Sequence, residues 1–132
     1  MGILNALVRI VMNSEDTILE FAGASFRSVW ALELLLALRR TRERSWSAGG
    51  IIKELRSSQV VVVEALNNLM TAGLVVQEDN GDYRYGGIGQ MEALVGELEA
   101  LYSAKPTAVI QRIVNSPNTK LQILSDAFRI KE

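Results

Sequence analysis

The sequence predicts a mainly α-helical protein that carries one small β-hairpin. Apolar residues recur at helical spacing in several segments on both sides of position 74, which favours helices in both halves of the chain. Between these segments, residues 74–78 and 82–85 have the period of strands, and Asn80-Gly81 between them is typical of a tight type I′ turn. Gly73 is suited to end the preceding helix in the left-handed conformation.

Length and composition limit the classes of protein to consider. A chain of 132 residues is one domain by the usual size range, and it is long enough to bury a core without cross-links. It contains no Cys and no His, which excludes zinc fingers, thiol chemistry and a Ser-His-Asp triad. We therefore expect that this protein is not an enzyme, has no catalytic residues, and binds neither a metal nor another cofactor.

The apolar stretches do not predict export or a membrane span. Residues 3–12 are mostly apolar, but Arg9 lies among them, and neither a basic leader nor a cleavage site accompanies them. Glu33 interrupts the longest apolar run, which leaves it too short to cross a bilayer. We therefore expect a soluble protein of the cytoplasm with no membrane partner.

Capping residues and apolar spacing place the helices. A serine followed by acidic or apolar residues is typical of a helix start, and proline is suited to the first helical position. The segment that begins near Ser28 is apolar nearly all round, so we expect it to be a central helix. The predicted helices cover about 14–21, 28–38, 47–55, 59–72 and 91–102, and two more begin at Pro106 and Pro117.

The basic residues leave two interpretations open. Four arginines follow the central helix, at positions 39, 40, 42 and 44, where they can bind phosphate or complement the negative end of the helix. Residues 28–86 contain seven basic and seven acidic side chains, so this part of the chain has no net charge. Net charge therefore does not predict nucleic-acid binding.

The order of helix, helix, turn, helix and hairpin over residues 28–87 is that of the winged helix-turn-helix. Residues 66–75, Leu-Asn-Asn-Leu-Met-Thr-Ala-Gly-Leu-Val, resemble the exit of the recognition helix in bacterial MarR-, ArsR- and GntR-type transcriptional regulators. The spacing from Ser58 to Val62 and the wing sequence at 81–85 are similar too. The resemblance implies a winged helix-turn-helix module at 28–87, with helical flanks at 1–27 and 88–132, and a regulator that binds double-stranded DNA as a homodimer.

In those families the recognition helix enters the major groove with its exposed N-terminal half, and the corresponding helix of this chain is predicted over residues 59–72. Gln59 and Asn67 are suited to paired hydrogen bonds with adenine, and valine methyls to contact with thymine methyls. However, no Arg or Lys lies between Gln59 and Arg84, and acidic residues surround Arg84 in the wing. The DNA-binding residues that the resemblance implies are Ser58, Gln59, Val60, Val63, Asn67, Arg84, Arg56, Lys53 and Arg42.

The alternative function is a protein-protein interaction module that has the same fold and does not bind DNA. An exposed apolar strip on a helix is typical of a protein-binding surface. Surface charge distinguishes the two functions: a neutral, apolar helix favours a protein partner, and a contiguous basic face favours DNA. That face would contain Arg39, Arg40, Arg42, Lys53, Arg56 and Arg84.

The apolar residues also predict a core and an oligomeric state. The predicted core of the module consists of Trp30, Leu34, Leu38, Ile51, Leu55, Val62, Leu66, Leu69 and Leu74. Further apolar residues lie in the flanks, at Ile3, Leu4, Leu7, Val8, Ile10, Val11, Leu94, Val95, Leu98, Leu101 and Tyr102. Either these fold back on their own module, or they pair across a two-fold axis. The second alternative predicts a homodimer that a charge at Leu98 would dissociate.

Overall fold

The computed structural model describes residues 14–117. Within this range six helices and two strands follow one another, which confirms a mainly α-helical chain with one hairpin. They are α1 (Glu15–Ser25), α2 (Val29–Arg40), α3 (Ala48–Leu55), α4 (Gln59–Thr71), β1 (Val75–Gln77), β2 (Tyr83–Tyr85), α5 (Gly89–Ala104) and α6 (Pro106–Val114). The apolar residues at 3–11 and the helix expected from Pro117 onward lie outside the described residues, apart from Pro117 itself.

Serine caps begin the first four helices. Ser14, Ser28, Ser47 and Ser58 each accept a hydrogen bond from the backbone N–H three residues further along the chain. Such a bond satisfies one of the unpaired donors at a helix start. The predicted starts of these four helices are therefore confirmed.

The first helix is longer than the predicted range of about 14–21, because α1 continues through Gly23 to Ser25. Gly23 is buried, and a Cβ at this position would lie 3.3 Å from Cγ of Arg112 in α6. Here glycine permits close packing of two helices instead of ending one.

The hairpin loop differs from the predicted type I′ turn. Gly81 has a φ of +90°, as expected, but Asn80 is not among the residues with positive φ. The N–H of Gly81 donates to the carbonyl of Glu78 at 2.8 Å, and the N–H of Glu78 donates to the carbonyl of Asp82 at 2.7 Å. These bonds are typical of a three-residue loop that ends in a glycine bulge. The Asn80 side chain accepts from the N–H of Asp82, which stabilises this longer loop.

The sheet includes one residue that the sequence pattern did not reveal. β1 and β2 are antiparallel, with Val76 opposite Arg84. Trp46 then pairs with Tyr83 of β2: its N–H donates to the Tyr83 carbonyl at 2.8 Å, and its carbonyl accepts from the Tyr83 N–H at 2.7 Å. The hairpin is thereby joined to the segment between α2 and α3.

Most of the predicted core is confirmed. Trp30 is an error, because 44% of it is exposed, and Leu55 is only half-buried. The apolar residues of α2 surround the helix, so their spacing does not show which side faces inward, and α2 buries Ala31, Leu32 and Leu35 instead. The predicted core residues that are buried are Leu34, Leu38, Ile51, Val62, Leu66, Leu69 and Leu74.

The described part of the C-terminal flank, residues 88–117, folds back on the rest of the chain. α5 and α6 pack against α1, and α6 also contacts α2. Val95, Leu98, Val109 and Ile113 are fully buried in the same core cluster as the residues of α2 and α4. Val95 and Leu98 are thus covered by their own chain and not free to pair across a two-fold axis, and the homodimer itself stays a prediction.

Candidate functional site

The turn between α3 and α4 presents the first half of α4 at the surface. Arg56 ends α3 in the left-handed conformation, with a φ of +51°, and its N–H donates to the carbonyls of Ile52 and Lys53. Ser57 and Ser58 follow, and the hydroxyl of Ser58 accepts from the N–H of Val61 at 3.2 Å. Ser58 therefore positions α4, and its hydroxyl is already engaged in this cap.

The outward side of α4 has no charged anchor for phosphate. Val60 is 66% exposed and Val63 is 39% exposed, and Gln59, Glu64 and Asn67 are exposed around them. The inward side of the same helix buries Val62, Ala65, Leu66, Asn68 and Leu69. The structure therefore brings together the predicted residues Gln59, Val60, Val63 and Asn67 on one outward face, which we call the α4 face. This face also exposes Glu64 and contains no basic residue.

Lys53 and Arg56 are exposed directly before the α4 face in the chain. Among the predicted DNA-binding residues, they are the two basic ones that are both exposed and close in sequence to α4. The other two basic residues of that set, Arg42 and Arg84, lie elsewhere and are engaged or partly buried.

Three of the four arginines at or just after the end of α2 are paired with glutamates of α5, and the fourth, Arg44, lies over the Trp46 ring. Arg39 contacts Glu92 and Glu99, each at 2.8 Å, and Arg42 contacts Glu92 at 3.0 Å. Arg40 approaches Glu99 at 3.5 Å, and the hydroxyl of Tyr85 donates to Glu92. This arginine–glutamate cluster joins the end of α2, the end of the hairpin and the start of α5. Glu92 and Glu99 therefore offset the charge of three arginines that were expected in a contiguous basic face.

The electrostatics of this cluster favour the ionised form of Glu92. Burial raises the pKa of Glu92, but hydrogen bonds from Arg39 and Tyr85 outweigh burial and hold this pKa below its usual value. The hydrogen bond to Glu92 raises the pKa of Arg39 in turn. Burial, together with the bond to Glu92, raises the pKa of the Tyr85 hydroxyl, so this group stays a donor.

The cluster predicts a pH dependence of stability. Because the pKa of Glu92 is lower in the folded chain than in the unfolded chain, its contribution is present at neutral pH and is lost as the pH falls through the lowered pKa. We expect Glu92→Gln to reduce the free energy of unfolding at pH 7 by about 1–2 kcal/mol, since charged hydrogen bonds are lost at a partly solvated site. Urea unfolding at pH 7 and at pH 3 measures this, with the exposed Glu43→Gln as control. An equal effect of Glu92→Gln at both pH values would contradict the assignment.

The hairpin offers little to phosphate. Glu78, Asp79 and Asp82 lie at or beside its loop, and Ser45 donates a hydrogen bond to Glu78. Arg84 is half-buried, and its Nε atom is buried without a hydrogen-bond partner within the described part of the chain. The predicted DNA contact at Arg84 therefore receives no geometric support.

Two further residues near the α4 face were missed by sequence reasoning. The buried side chain of Asn68 accepts from the N–H of Arg27 at 2.9 Å and donates to the carbonyl of Ser25 at 2.8 Å, which ties the α1–α2 turn to α4. Trp30, assigned to the core, instead lines a cavity of about 380 Å³ together with Val61 and Glu64. The only sequence signal for the burial of Asn68 was its helical phase, which places it on the inward side of α4.

The described helices carry no membrane-spanning signal of their own. No single helix within residues 14–117 is long and apolar enough to cross a bilayer, and α1 and α2 reach that length and composition only as a pair bent by 106°.

No protein-family model, no curated protein and no solved structure matches this chain.

Proposed function

We propose that this chain is a winged helix-turn-helix module that binds another protein through the α4 face and does not bind DNA. The order of α2, the Trp46 bridge, α3, α4, β1 and β2 supports the winged helix-turn-helix assignment. The apolar centre of the α4 face, which contains no basic residue, is the observation that carries the functional proposal.

A protein partner fits the exposed side chains of this face. Valines at 66% and 39% exposure form its centre, and Gln59, Asn67 and the acidic Glu64 border them. Protein interfaces have apolar centres depleted of charge and polar rims. Nucleic-acid interfaces instead depend on cations that neutralise phosphates.

Phosphate binding at Arg39 or Arg42 would require existing contacts to break. Arg39 and Arg42 each donate to Glu92, and Arg39 also donates to Glu99. A phosphate group would have to displace these carboxylates, which would then stand unpaired beside it. The arginine–glutamate cluster therefore supports a role in joining α2 to α5.

The second candidate is the transcriptional regulator that binds double-stranded DNA as a homodimer. One observation favours it: Lys53 and Arg56 are exposed just before α4, and Gln59 and Asn67 are exposed on it, so base and phosphate contacts of limited number are available. Both candidates act without a membrane, and a cytoplasmic location is part of both proposals.

Selection of bound duplexes from a random DNA pool separates the two candidates. We expect no enriched motif and no measurable binding at 150 mM salt, because two cations per chain release few counterions. An enriched motif would overturn the proposal if the Lys53→Ala/Arg56→Ala variant bound it more weakly and with a smaller salt dependence. The slope of log affinity against log salt concentration should then decrease in magnitude by about 0.9 for each phosphate contact removed.

A partner screen with matched surface variants tests the protein-binding function directly. Val60→Glu places a charge on the α4 face, and Ile88→Glu places one at a residue that is 80% exposed elsewhere. Both variants should keep the thermal midpoint of the wild type, since exposed substitutions change stability little. We expect at least one interaction of the wild type to be lost in Val60→Glu and kept in Ile88→Glu. Interactions that survive Val60→Glu, with none lost, would show that the α4 face is not the binding surface.

A further inference from the structure

Trp30 lies at a cavity between the α1–α2 turn and α4, which we call the Trp30 cavity. Its volume is about 380 Å³, and its wall includes Arg27, Val61 and Glu64. Trp30 is 44% exposed. Because a large indole ring gains much from burial, an exposed tryptophan beside a cavity is suited to contact with a further segment. The cavity therefore has the apolar side chain that a docked segment requires.

The directions of α1 and α6 determine where the described chain ends. Lys105, directly before α6, contacts Glu15 at the start of α1 at 3.1 Å. Arg112, near the end of α6, packs against Gly23, near the end of α1. α6 therefore runs in the same direction as α1, and its C-terminal end lies beside the end of α1 that leads into the α1–α2 turn.

The chain after Pro117 begins close to the Trp30 cavity. Pro117 lines a second cavity together with Ala24, which is three positions before Arg27 of the Trp30 cavity. Three residues span at most about 11 Å. Residues 118–132 lie outside the described residues, and a segment of this length spans about 22 Å as a helix and more when extended. It is therefore long enough to reach the Trp30 cavity from Pro117.

We propose that residues 118–132 bind in the Trp30 cavity of their own chain. The sequence predicts a helix from Pro117 onward, on which Leu121, Leu124 and Phe128 share one side. This apolar stripe covers the indole ring of Trp30. The interaction joins the C-terminal end of the chain to the α1–α2 turn and α4.

The position of these residues in the chain favours them over other occupants. Residues 1–13 precede Ser14, which caps the start of α1, at the end of α1 opposite to the Trp30 cavity. A separate partner lacks the advantage of a tether, because a short linker gives an attached segment an effective concentration of about millimolar. Residues 118–132 both start near the cavity and are tethered to it.

The α1–α2 turn also indicates the direction of the bound segment. The side chain of Asn68 donates to the carbonyl of Ser25 at 2.8 Å, so the turn lies beside the C-terminal half of α4. Val61, two helical turns before Asn68, lines the cavity further along α4. The segment therefore enters beside Asn68 and continues towards Val61, antiparallel to α4, which places Leu124 near Asn67.

This interaction borders the α4 face without covering its centre. Glu64 and Asn67 belong to the α4 face and line the Trp30 cavity, whereas Val60 and Val63 are not among the described residues that line it. The inference therefore goes beyond the proposed function and does not depend on it. Loss of the interaction at the cavity leaves the two valines exposed for a protein partner.

Double-cysteine variants test the contact, because the chain contains no cysteine. A disulfide requires Cα atoms within about 7 Å of each other. Under mild oxidation, Asn67→Cys/Leu124→Cys should form an intramolecular disulfide at least about ten-fold faster than the control Ile88→Cys/Leu124→Cys, since Ile88 is exposed away from the cavity. Equal rates would overturn the inference. A rate that rises with protein concentration would also overturn it, because residues 118–132 would then bind a second copy.

Fluorescence quenching of Trp30 provides an independent measurement in the whole chain. The chain contains two tryptophans, so Trp46→Phe leaves Trp30 as the one tryptophan. In this background, Leu124→Glu/Phe128→Glu should raise the acrylamide quenching constant of Trp30 by about two-fold or more, because carboxylates resist burial against the ring.

Thr119→Glu/Gln122→Glu is the matched control, since it adds the same charge on another side of the predicted helix. It should leave the quenching constant of Trp30 unchanged. Circular dichroism confirms that each variant is folded. The inference fails if the Leu124→Glu/Phe128→Glu variant has the quenching constant of its parent chain, or if both pairs of substitutions raise that constant equally.

Discussion

Leu98→Glu is expected to unfold the chain, not to separate a dimer into monomers. Leu98 is fully buried in α5, within the core cluster that includes Val95 and residues of α1, α2 and α6. A carboxylate at this position would be desolvated without a hydrogen-bond or ion-pair partner, which costs several kcal/mol. Because small domains are stable by only about 5–15 kcal/mol, we expect loss of the folded state or a reduction of the unfolding free energy by more than about 4 kcal/mol.

Circular dichroism during urea unfolding measures this effect. Ala100→Glu is the matched control, since Ala100 is exposed on the same helix and its substitution should change stability by less than about 0.5 kcal/mol. A Leu98→Glu chain that stays folded while its mass falls from two chains to one would contradict the expectation. That outcome would favour the homodimer through α5 that the flanks predict.

The helix starts were predictable because their signals are local. A serine cap acts on a backbone N–H three residues away, so the four residues from Ser14 to Thr17 already contain the evidence. The same holds for Gly73, whose φ of +75° ends the α4 segment as expected. At the hairpin the local signal was incomplete, because Asn80-Gly81 fits both a two-residue loop and the three-residue loop that the structure has.

The α4 face was predictable for a related reason. Its exposed residues are the complement of a clear inward stripe, which includes Val62, Leu66 and Leu69. Trp30 lacked such a reference, because apolar side chains surround α2 and only the packing of α4, β2 and α6 against it decides which of them are covered. Helical phase is informative when one side of the helix is polar.

The arginine–glutamate cluster was not predictable from sequence. Arg39 and Glu92 are separated by 53 positions, and no local pattern shows which distant helix will pack beside the end of α2. Sequence reasoning therefore weighed phosphate and the helix dipole for these arginines and did not consider Glu92 or Glu99. The charge balance of residues 28–86 was zero, but the relevant neutralisation comes from α5, outside that segment.

Leu66→Ala is expected to reduce the free energy of unfolding by about 2–5 kcal/mol, the usual range for removing a large side chain from a packed core. Leu66 is 1% exposed on the inward side of α4, so the loss of its methyl groups leaves a cavity. Val63→Ala on the same helix removes a side chain that is 39% exposed, and we expect a change below about 1 kcal/mol.

The two variants separate folding from recognition on one helix. Urea midpoints should fall for Leu66→Ala and stay near the wild-type value for Val63→Ala, whereas any interaction that Val60→Glu abolishes should also weaken for Val63→Ala at concentrations where both chains are folded. The opposite pattern would mean that the inward and outward sides of α4 have been exchanged. Equal shifts in the midpoint would show that Val63 belongs to the core, and the α4 face would then lose one of its two central residues.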